Sequence, residues 1–197
     1  MIHKHLTTLA MARSGHNFVI QNILSWQKDR EIYIHHNLES ISPKDLTPNH
    51  LQHGGKRVII YRDFKNWLAS LITMSYRNRA TRDLNDIPTY LKKVVPKYFD
   101  IIQEIKHPQY FPNAVPIYYD EFFLSREYRK KMCEELGDEY SEEMIDHVPR
   151  NGHGSSFDGR ELDGHGSKMS VLNRHEQILA SPQKDLYLKT LKEYGQI

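Results

Sequence analysis

The chain has 197 residues, of which 39% are hydrophobic and 26% are charged, and this composition is typical of a globular domain with a core of ordinary size. No apolar run approaches the ~18 residues needed to cross a membrane, and the single cysteine, Cys133, excludes an intrachain disulfide. We therefore expect one domain over residues 1–197, a cytoplasmic location, no signal peptide and no transmembrane segment.

The net charge of +2 hides an uneven distribution of charge along the chain. Residues 56–106 contain 11 Lys and Arg against 5 Asp and Glu, whereas residues 121–146 contain 4 against 9. A basic centre suits an anionic ligand, but solvated helix faces give the same pattern, so charge alone does not decide between them. The twelve histidines lack an HExxH motif and cysteine neighbours, and we predict no metal site.

Strands and helices alternate in the predicted order of elements. Apolar, β-branched runs predict buried strands over residues 6–11, 31–36, 57–62 and 114–120. Helical spacing of apolar residues predicts helices from residue 18 onward and over 63–78, 87–105, 125–137 and 181–195. Pro96 is expected to kink or split the third of these helices, Gly137 to cap the fourth, and Ser181 to cap the last. The alternation predicts a single-domain α/β fold with a central parallel β-sheet flanked by helices.

Ligands of such sheets bind at the carboxyl ends of the strands. The first of these ends is followed by the turn Arg13-Ser14-Gly15-His16-Asn17, which precedes a helix and so offers backbone N–H groups to an anion. The turn contains one glycine and does not match GxxxxGK[ST]. Residues 149–170 are rich in Gly, Ser and charge, and we expect either a disordered surface loop or a mobile loop that covers the ligand.

Four segments in order resemble those of the sulfotransferases that use 3′-phosphoadenosine 5′-phosphosulfate (PAPS). MARSGHNF resembles their 5′-phosphosulfate loop, and RVIIYRDFKNWLASL resembles their 3′-phosphate segment, with Arg62 and Ser70 at the family's spacing of eight. AVPIYYDEF places Tyr119 where the family has a tyrosine near the nucleotide, and GSSFDG resembles the family's TSF segment. Together the four segments are a much stronger signal than any one of them.

The resemblance implies a sulfotransferase with a P-loop NTPase-like fold and no required metal. Such an enzyme moves a sulfuryl group from PAPS to a hydroxyl or amine of an acceptor and releases adenosine 3′,5′-bisphosphate (PAP). The acceptor would be a small molecule or a carbohydrate, and carbohydrate is preferred because the RSG version of the loop resembles that of carbohydrate sulfotransferases. Lipid, small phenol and peptide acceptors remain open. No motif predicts nucleic-acid binding, and the sequence does not define the oligomeric state.

The resemblance also implies a set of nucleotide-binding residues. Arg13 would stabilise charge on the 5′-phosphate and the bridging oxygen, and Arg62 with Ser70 would bracket the 3′-phosphate. The remaining members are the backbone N–H groups of Ser14, Gly15, His16, Asn17 and Phe18, the tyrosine Tyr119, and the segment Ser155, Ser156 and Phe157. An acceptor hydroxyl needs a base, and the second strand supplies His35 and His36, of which His36 lies nearer the strand end.

The sequence departs from the family's pattern in two places. His16 and Asn17 stand where relatives usually carry hydroxyl side chains; Asn17 can still donate through its side-chain amide, and His16 could act as a cationic contact. The family's RKGxxGDW motif is absent, and Arg160, Lys168 or Arg174 could supply the missing cation.

Other interpretations remain open from the sequence. Arg62 could instead form an ion pair with Asp63 or Asp120, whereas Trp26 and Trp67 are expected to be core residues. A P-loop-like phosphotransferase or nucleotide kinase is an alternative function, although the Lys and hydroxyl of GK[ST] are missing. A non-catalytic protein that binds a polyanion is another.

Overall fold

Four parallel strands form the central sheet, in the order β2-β1-β3-β4. The computed structural model describes residues 5–26, 31–35, 38, 56–77, 86–148, 157 and 161–197. The strands are β1 (His5–Ala10), β2 (Glu31–His35), β3 (Lys56–Tyr61) and β4 (Ala114–Tyr118). They pair in parallel, so their carboxyl ends lie along one edge of the sheet. The predicted α/β fold with a parallel sheet is therefore confirmed.

Helices cover both faces of this sheet. They are α1 (His16–Trp26), α2 (Phe64–Arg77), α3 (Asp86–Lys106), α4 (Tyr119–Leu124), α5 (Arg126–Leu136), α6 (Arg174–Gln177) and α7 (Lys184–Glu193). Short 3₁₀ turns at Gly166–Lys168, Val171–Asn173 and Ile178–Ala180 surround α6. Within the described ranges, no helix is long and apolar enough to cross a membrane.

The core has two halves, one on each face of the sheet. On β3, Ile59 joins the half formed with α2, α3 and α7, whereas Val58 and Ile60 join the half formed with α1, α4 and α5. This alternation explains why the run is continuously apolar, because each side chain of a strand with two covered faces is buried. Trp67 is fully buried in the first half and Trp26 is buried in the second, as predicted.

One predicted helix break and two predicted boundaries were wrong. Helix α3 runs from Asp86 to Lys106 without the split expected at Pro96, while a kink there stays a prediction. Pro96 is exposed, so the backbone groups that it affects can bond to water, and buried residues on both sides hold the helix against the core. The fourth strand ends at Tyr118, because the following residues turn into α4. Helix α7 begins at Lys184 rather than after Ser181, whose Oγ instead accepts from the Gln183 N–H in a short turn.

The C-cap prediction was correct. Gly137 has a φ of 78°, and its N–H bonds back into the last turn of α5. Glycine adopts this left-handed conformation without the steric cost that a Cβ would bring.

One edge of the described sheet is formed by β4. Backbone groups alternate in direction along a strand, so residues 114, 116 and 118 share the outward side, away from β3. Ala114 N–H donates to the carbonyl oxygen of Phe111 at 3.0 Å, and Tyr118 N–H donates to Tyr128 Oη at 3.0 Å. Residue 116 is proline, which has no N–H.

Candidate nucleotide site

The turn between β1 and α1 is held in place by hydrogen bonds from two sides. Ser14 donates to the carbonyl oxygen of Met11 through its N–H at 3.2 Å and its Oγ at 2.8 Å. From α2, the indole N–H of Trp67 donates to the carbonyl oxygen of Ala12 at 2.9 Å. The backbone of this turn is therefore fixed before any ligand contributes.

Gly15 cannot be replaced without moving an aromatic ring. Its φ is 84°, and a Cβ at this position would lie 2.0 Å from Cδ2 of Tyr119. The Tyr119 ring is itself 3% exposed and packs edge-on against Phe18, with centroids 6.1 Å apart. A glycine is required here both because of its φ and because the ring approaches the backbone so closely. The adjacent Arg13 also has a positive φ, 66°.

The amide donors of the turn are fewer than the sequence predicts. The N–H of Ser14 already donates to Met11, and the N–H of Phe18 donates to the carbonyl oxygen of Gly15 at 3.1 Å. The Phe18 ring belongs to the core and packs against Phe122. The amides of Ser14 and Phe18 are thus bonded within the turn, and anion binding by the amides of residues 15–17, where α1 begins, stays a prediction.

Arg62 lies at the end of β3, where three different parts of the chain meet. Its Nε lies 3.3 Å from Asp120 Oδ1, its Nη1 donates to Ser70 Oγ at 3.2 Å, and its Nη2 donates to the carbonyl oxygen of Val171. Among the described residues these contacts use three of its five N–H groups. The spacing of eight residues between Arg62 and Ser70 therefore does bring the two side chains together. The ion pair with Asp120, which the sequence left open, also forms.

Asp120 anchors the guanidinium of Arg62. One carboxylate oxygen pairs with Arg62 and the other accepts from the Asp63 N–H at 2.9 Å. Burial raises the pKa of Asp120 above its ordinary value, and the nearby Arg62 opposes that rise. We infer that the pair serves to aim Arg62, because its hydrogen bonds fix the plane of the guanidinium.

A third arginine lies near the first two. Burial, followed by the positive charges of Arg62 and Arg174, lowers the pKa of Arg13 to about 10. Arg174 is 2% exposed, and its Cζ lies 4.4 Å from the centroid of the Phe157 ring. Three arginines this close repel one another, so the site favours an anion that neutralises them.

Lys168, one of the predicted alternatives for the missing cation, lies elsewhere. It is exposed, and its charge acts on Asp146, whose pKa is lowered chiefly by hydrogen bonds from Ser167. Arg174 thus acts on Arg13, whereas Lys168 acts on Asp146, and which cation meets the nucleotide stays a prediction. Arg160 lies outside the described residues.

His16 has a buried side chain, and its Nε2 lies 3.5 Å from the hydroxyl of Thr8, a fully buried residue of β1. This contact directs the ring nitrogen toward the sheet, and a cationic contact between His16 and a phosphate stays a prediction. Asn17 lies in the first turn of α1 and is half-buried.

The histidines proposed as the base remain a prediction. His35 is the last residue of β2, and its backbone pairs with Leu9 at the carboxyl edge of the sheet. Its side chain, His36, Ser155 and Ser156 lie outside the described residues.

Sequence reasoning missed three contributors to this site. Thr8 supports His16, Asn66 binds the backbone and ring of His175, and the Val171 carbonyl binds Arg62. Asn66 and His175 are 109 residues apart in the chain, as are Arg62 and Val171, and no local pattern predicts such pairs. In the described part of the chain, no group of three His, Cys, Asp or Glu side chains could hold a metal ion.

No protein-family model matches the sequence, and no curated protein sequence matches it. Among solved structures, the chain is similar to the crystal structure of the mouse sulfotransferase SULT7A1 complexed with PAP. The TM-score is 0.56 at 11% sequence identity, and the match covers 97% of this chain and 84% of the mouse chain. The chain thus has a sulfotransferase-like α/β fold.

Proposed function

We propose that the chain is a PAPS-dependent sulfotransferase that transfers a sulfuryl group to a hydroxyl or amine of a small-molecule or carbohydrate acceptor. The observation that carries this proposal is the Arg62–Ser70 pair beside the turn that contains Arg13. Two cationic centres close together suit a nucleotide with separate 5′ and 3′ anionic groups, whereas an ordinary nucleoside triphosphate has no 3′-phosphate. The similarity in fold to a PAP-bound sulfotransferase supports the same proposed function.

The residues fit such a nucleotide chemically. Arg62 and Ser70 would hold the 3′-phosphate with a charged fork and a hydroxyl. The amides of residues 15–17, at the N-terminus of α1, and the Arg13 guanidinium would hold the 5′ end. Arg174, stacked on Phe157, adds the positive charge that the absent RKGxxGDW motif would have supplied.

In the proposed reaction these groups mainly position and neutralise charge. When bound, PAPS supplies an activated sulfuryl group, and Arg13 would stabilise the negative charge that develops on the departing phosphate oxygen. The acceptor hydroxyl loses its proton as its oxygen bonds to sulfur. His36, or else His35, is the candidate to accept that proton.

The direct test is isothermal titration calorimetry of the full chain with PAP and with adenosine 5′-monophosphate (AMP). We expect PAP to bind at least about tenfold more tightly than AMP, because charge-assisted hydrogen bonds to the second phosphate contribute about 1.5–3 kcal/mol. A folded protein that binds PAP no better than AMP refutes the proposal. Binding of magnesium–ATP instead of PAP would favour the phosphotransferase alternative.

A variant test of Arg62 has to account for its buried ion pair with Asp120. Replacing Arg62 alone leaves the Asp120 carboxylate buried without its partner, which typically costs about 3–5 kcal/mol of stability. The appropriate comparison is Arg62→Ala combined with Asp120→Asn, against Asp120→Asn alone. We expect the double variant to lose PAP affinity by about tenfold or more relative to its control and AMP affinity hardly at all. Ser70→Ala should act in the same direction by a smaller factor.

Substrate turnover completes the test. Release of PAP from PAPS, measured with a panel of carbohydrate and small-molecule hydroxyl acceptors, should depend on the acceptor and disappear in the Arg13→Ala variant. If the chain binds PAP but transfers the sulfuryl group to none of the acceptors, it is a binding protein rather than an enzyme.

A further inference from the structure

Residues 171–177 are fastened at two points to the stretch of chain that runs from the end of β3 into the first turn of α2. At one point the Val171 carbonyl accepts from Arg62 Nη2. At the other, the amide oxygen of Asn66 receives two contacts from His175, one from its backbone N–H at 3.3 Å and one from ring Nδ1 at 3.1 Å. Arg174 stands between these two anchor points in the chain.

Asn66 is well suited to act as a fixed anchor. It is 5% exposed, lies in the first turn of α2, and its N–H donates to Asp63 Oδ1 at 2.9 Å. An amide oxygen only accepts hydrogen bonds, so the Nδ1 of His175 must carry a hydrogen to complete the contact. The backbone N–H and the ring Nδ1 of His175 thus both donate to the amide oxygen of Asn66, whose own N–H is held by Asp63.

Arg174 needs such an anchor because of its surroundings. Its guanidinium is buried over the Phe157 ring, and its Nη1 lies 3.3 Å from Gln177 Oε1. Its positive charge acts on Arg13, so repulsion between the two guanidinium groups pushes Arg174 away from the site. The Asn66–His175 contact opposes that displacement.

We propose that Asn66 is a positioning residue: by binding His175 it holds Arg174 beside Arg13 and Arg62, and so sets the preference for a nucleotide with two separate phosphate groups. This inference rests on the proposed function. AMP, with a single phosphate group, gains less than PAP from a third cation. Loss of the anchor therefore affects PAP more than AMP.

The first experiment is calorimetry with PAP and AMP on four proteins: the unchanged chain, Asn66→Ala, Arg174→Met and the double variant. We expect Asn66→Ala to weaken PAP binding about tenfold and AMP binding at most about twofold. Because Asn66 acts through Arg174, the same change should add nothing further once Arg174 is methionine. Asn66→Asp keeps an acceptor oxygen at this position and should restore most of the PAP affinity.

The outcomes separate the two proposals. A wild-type protein that fails to bind PAP refutes the proposed function, and this inference falls with it. A wild-type protein that binds PAP, with Asn66→Ala weakening PAP and AMP equally or acting additively with Arg174→Met, refutes this inference alone. If Asn66→Ala does not fold, His175→Ala takes its place, since that side chain is about one-third exposed and its removal leaves the backbone contact.

A second experiment tests the contact itself without any nucleotide. Nitrogen-15 NMR of the histidine rings at about pH 8 reports which ring nitrogen carries the hydrogen, with His175→Ala to assign the signal. We expect the Nδ1–H form for His175 in the unchanged chain and its loss in Asn66→Ala. An Nε2–H form in the unchanged chain overturns the proposal.

Discussion

Replacing Gly15 by alanine tests the closest approach in the candidate site. The new Cβ would lie 2.0, 2.2 and 2.4 Å from three atoms of the Tyr119 ring, whereas real contacts are no closer than ordinary van der Waals distances. The ring must therefore move by more than an ångström. It is 3% exposed, and it packs between Phe18 and the Arg62 guanidinium, which lies 5.0 Å from its centroid.

The expected cost has two separate parts. A left-handed φ costs a residue with a Cβ about 1 kcal/mol or slightly more. Forcing extra volume into a packed core costs about 1–3 kcal/mol more. We therefore expect Gly15→Ala to reduce the free energy of unfolding by about 2–5 kcal/mol, a large share of the stability of an ordinary domain.

Gly164 provides a matched control for the backbone part. Its φ is 88°, close to the 84° of Gly15, but a Cβ there would meet no atom within 4 Å. Gly164→Ala should therefore cost only about 1 kcal/mol. The difference between the two variants isolates the contact with Tyr119.

The assay is urea unfolding followed by circular dichroism for both variants, and for Gly15→Ala in a Tyr119→Ala background. Without the tyrosine ring, the added cost of Gly15→Ala should fall to the level of Gly164→Ala. If Gly15→Ala costs no more than Gly164→Ala when the ring is present, the ring does not lie over the turn as described.

Two further predictions concern carboxylates outside the site. The Glu104 carboxylate accepts hydrogen bonds from the backbone N–H groups of residues 109–111, and Glu104→Ala should lower the free energy of unfolding in urea by about 1–3 kcal/mol. Glu104→Gln keeps an acceptor oxygen and should lower it by less. Equal losses of unfolding free energy in both variants would contradict this. The pKa of Glu142 is lowered by hydrogen bonds from Arg129 and Tyr140, so the stability it contributes is present above its ordinary pKa of 4.5 and is lost as the pH falls through the lowered value. Unfolding free energies measured from about pH 6 down to about pH 3 should fall less steeply in Glu142→Gln than in the unchanged chain, and parallel curves would show that Glu142 does not contribute.

The sheet and its carboxyl edge could be predicted because their signals are local. A continuous apolar run with covered faces, as in β3, is recognisable from its residues alone. The resemblance to the sulfotransferase segment implied that Arg62 and Ser70 act together, and their pairing has a local basis, because a strand end and two helical turns bring them close. The end of β4 was predicted too late because Tyr119 continues the apolar run of the strand, although Tyr119 and Asp120 already lie in α4.

What could not be predicted depends on contacts between distant parts of the chain. Nothing near Asn66 indicates that His175 will bind it, and nothing near Val171 indicates that its carbonyl will meet Arg62. His16 illustrates the same limit at short range. Its position in the turn suggested a contact to the ligand, and nothing in the turn indicated that its ring would also meet the Thr8 hydroxyl.

The outer edge of β4 has a consequence for the behaviour of the chain in concentrated solution. A strand from a second molecule can add to a sheet only where outward N–H groups are available to it. Here the outward N–H of Ala114 is taken by Phe111, that of Tyr118 is taken by Tyr128, and Pro116 between them has none. Edge-to-edge aggregation along β4 is therefore disfavoured by the strand's own neighbours, without any charged residue on the strand.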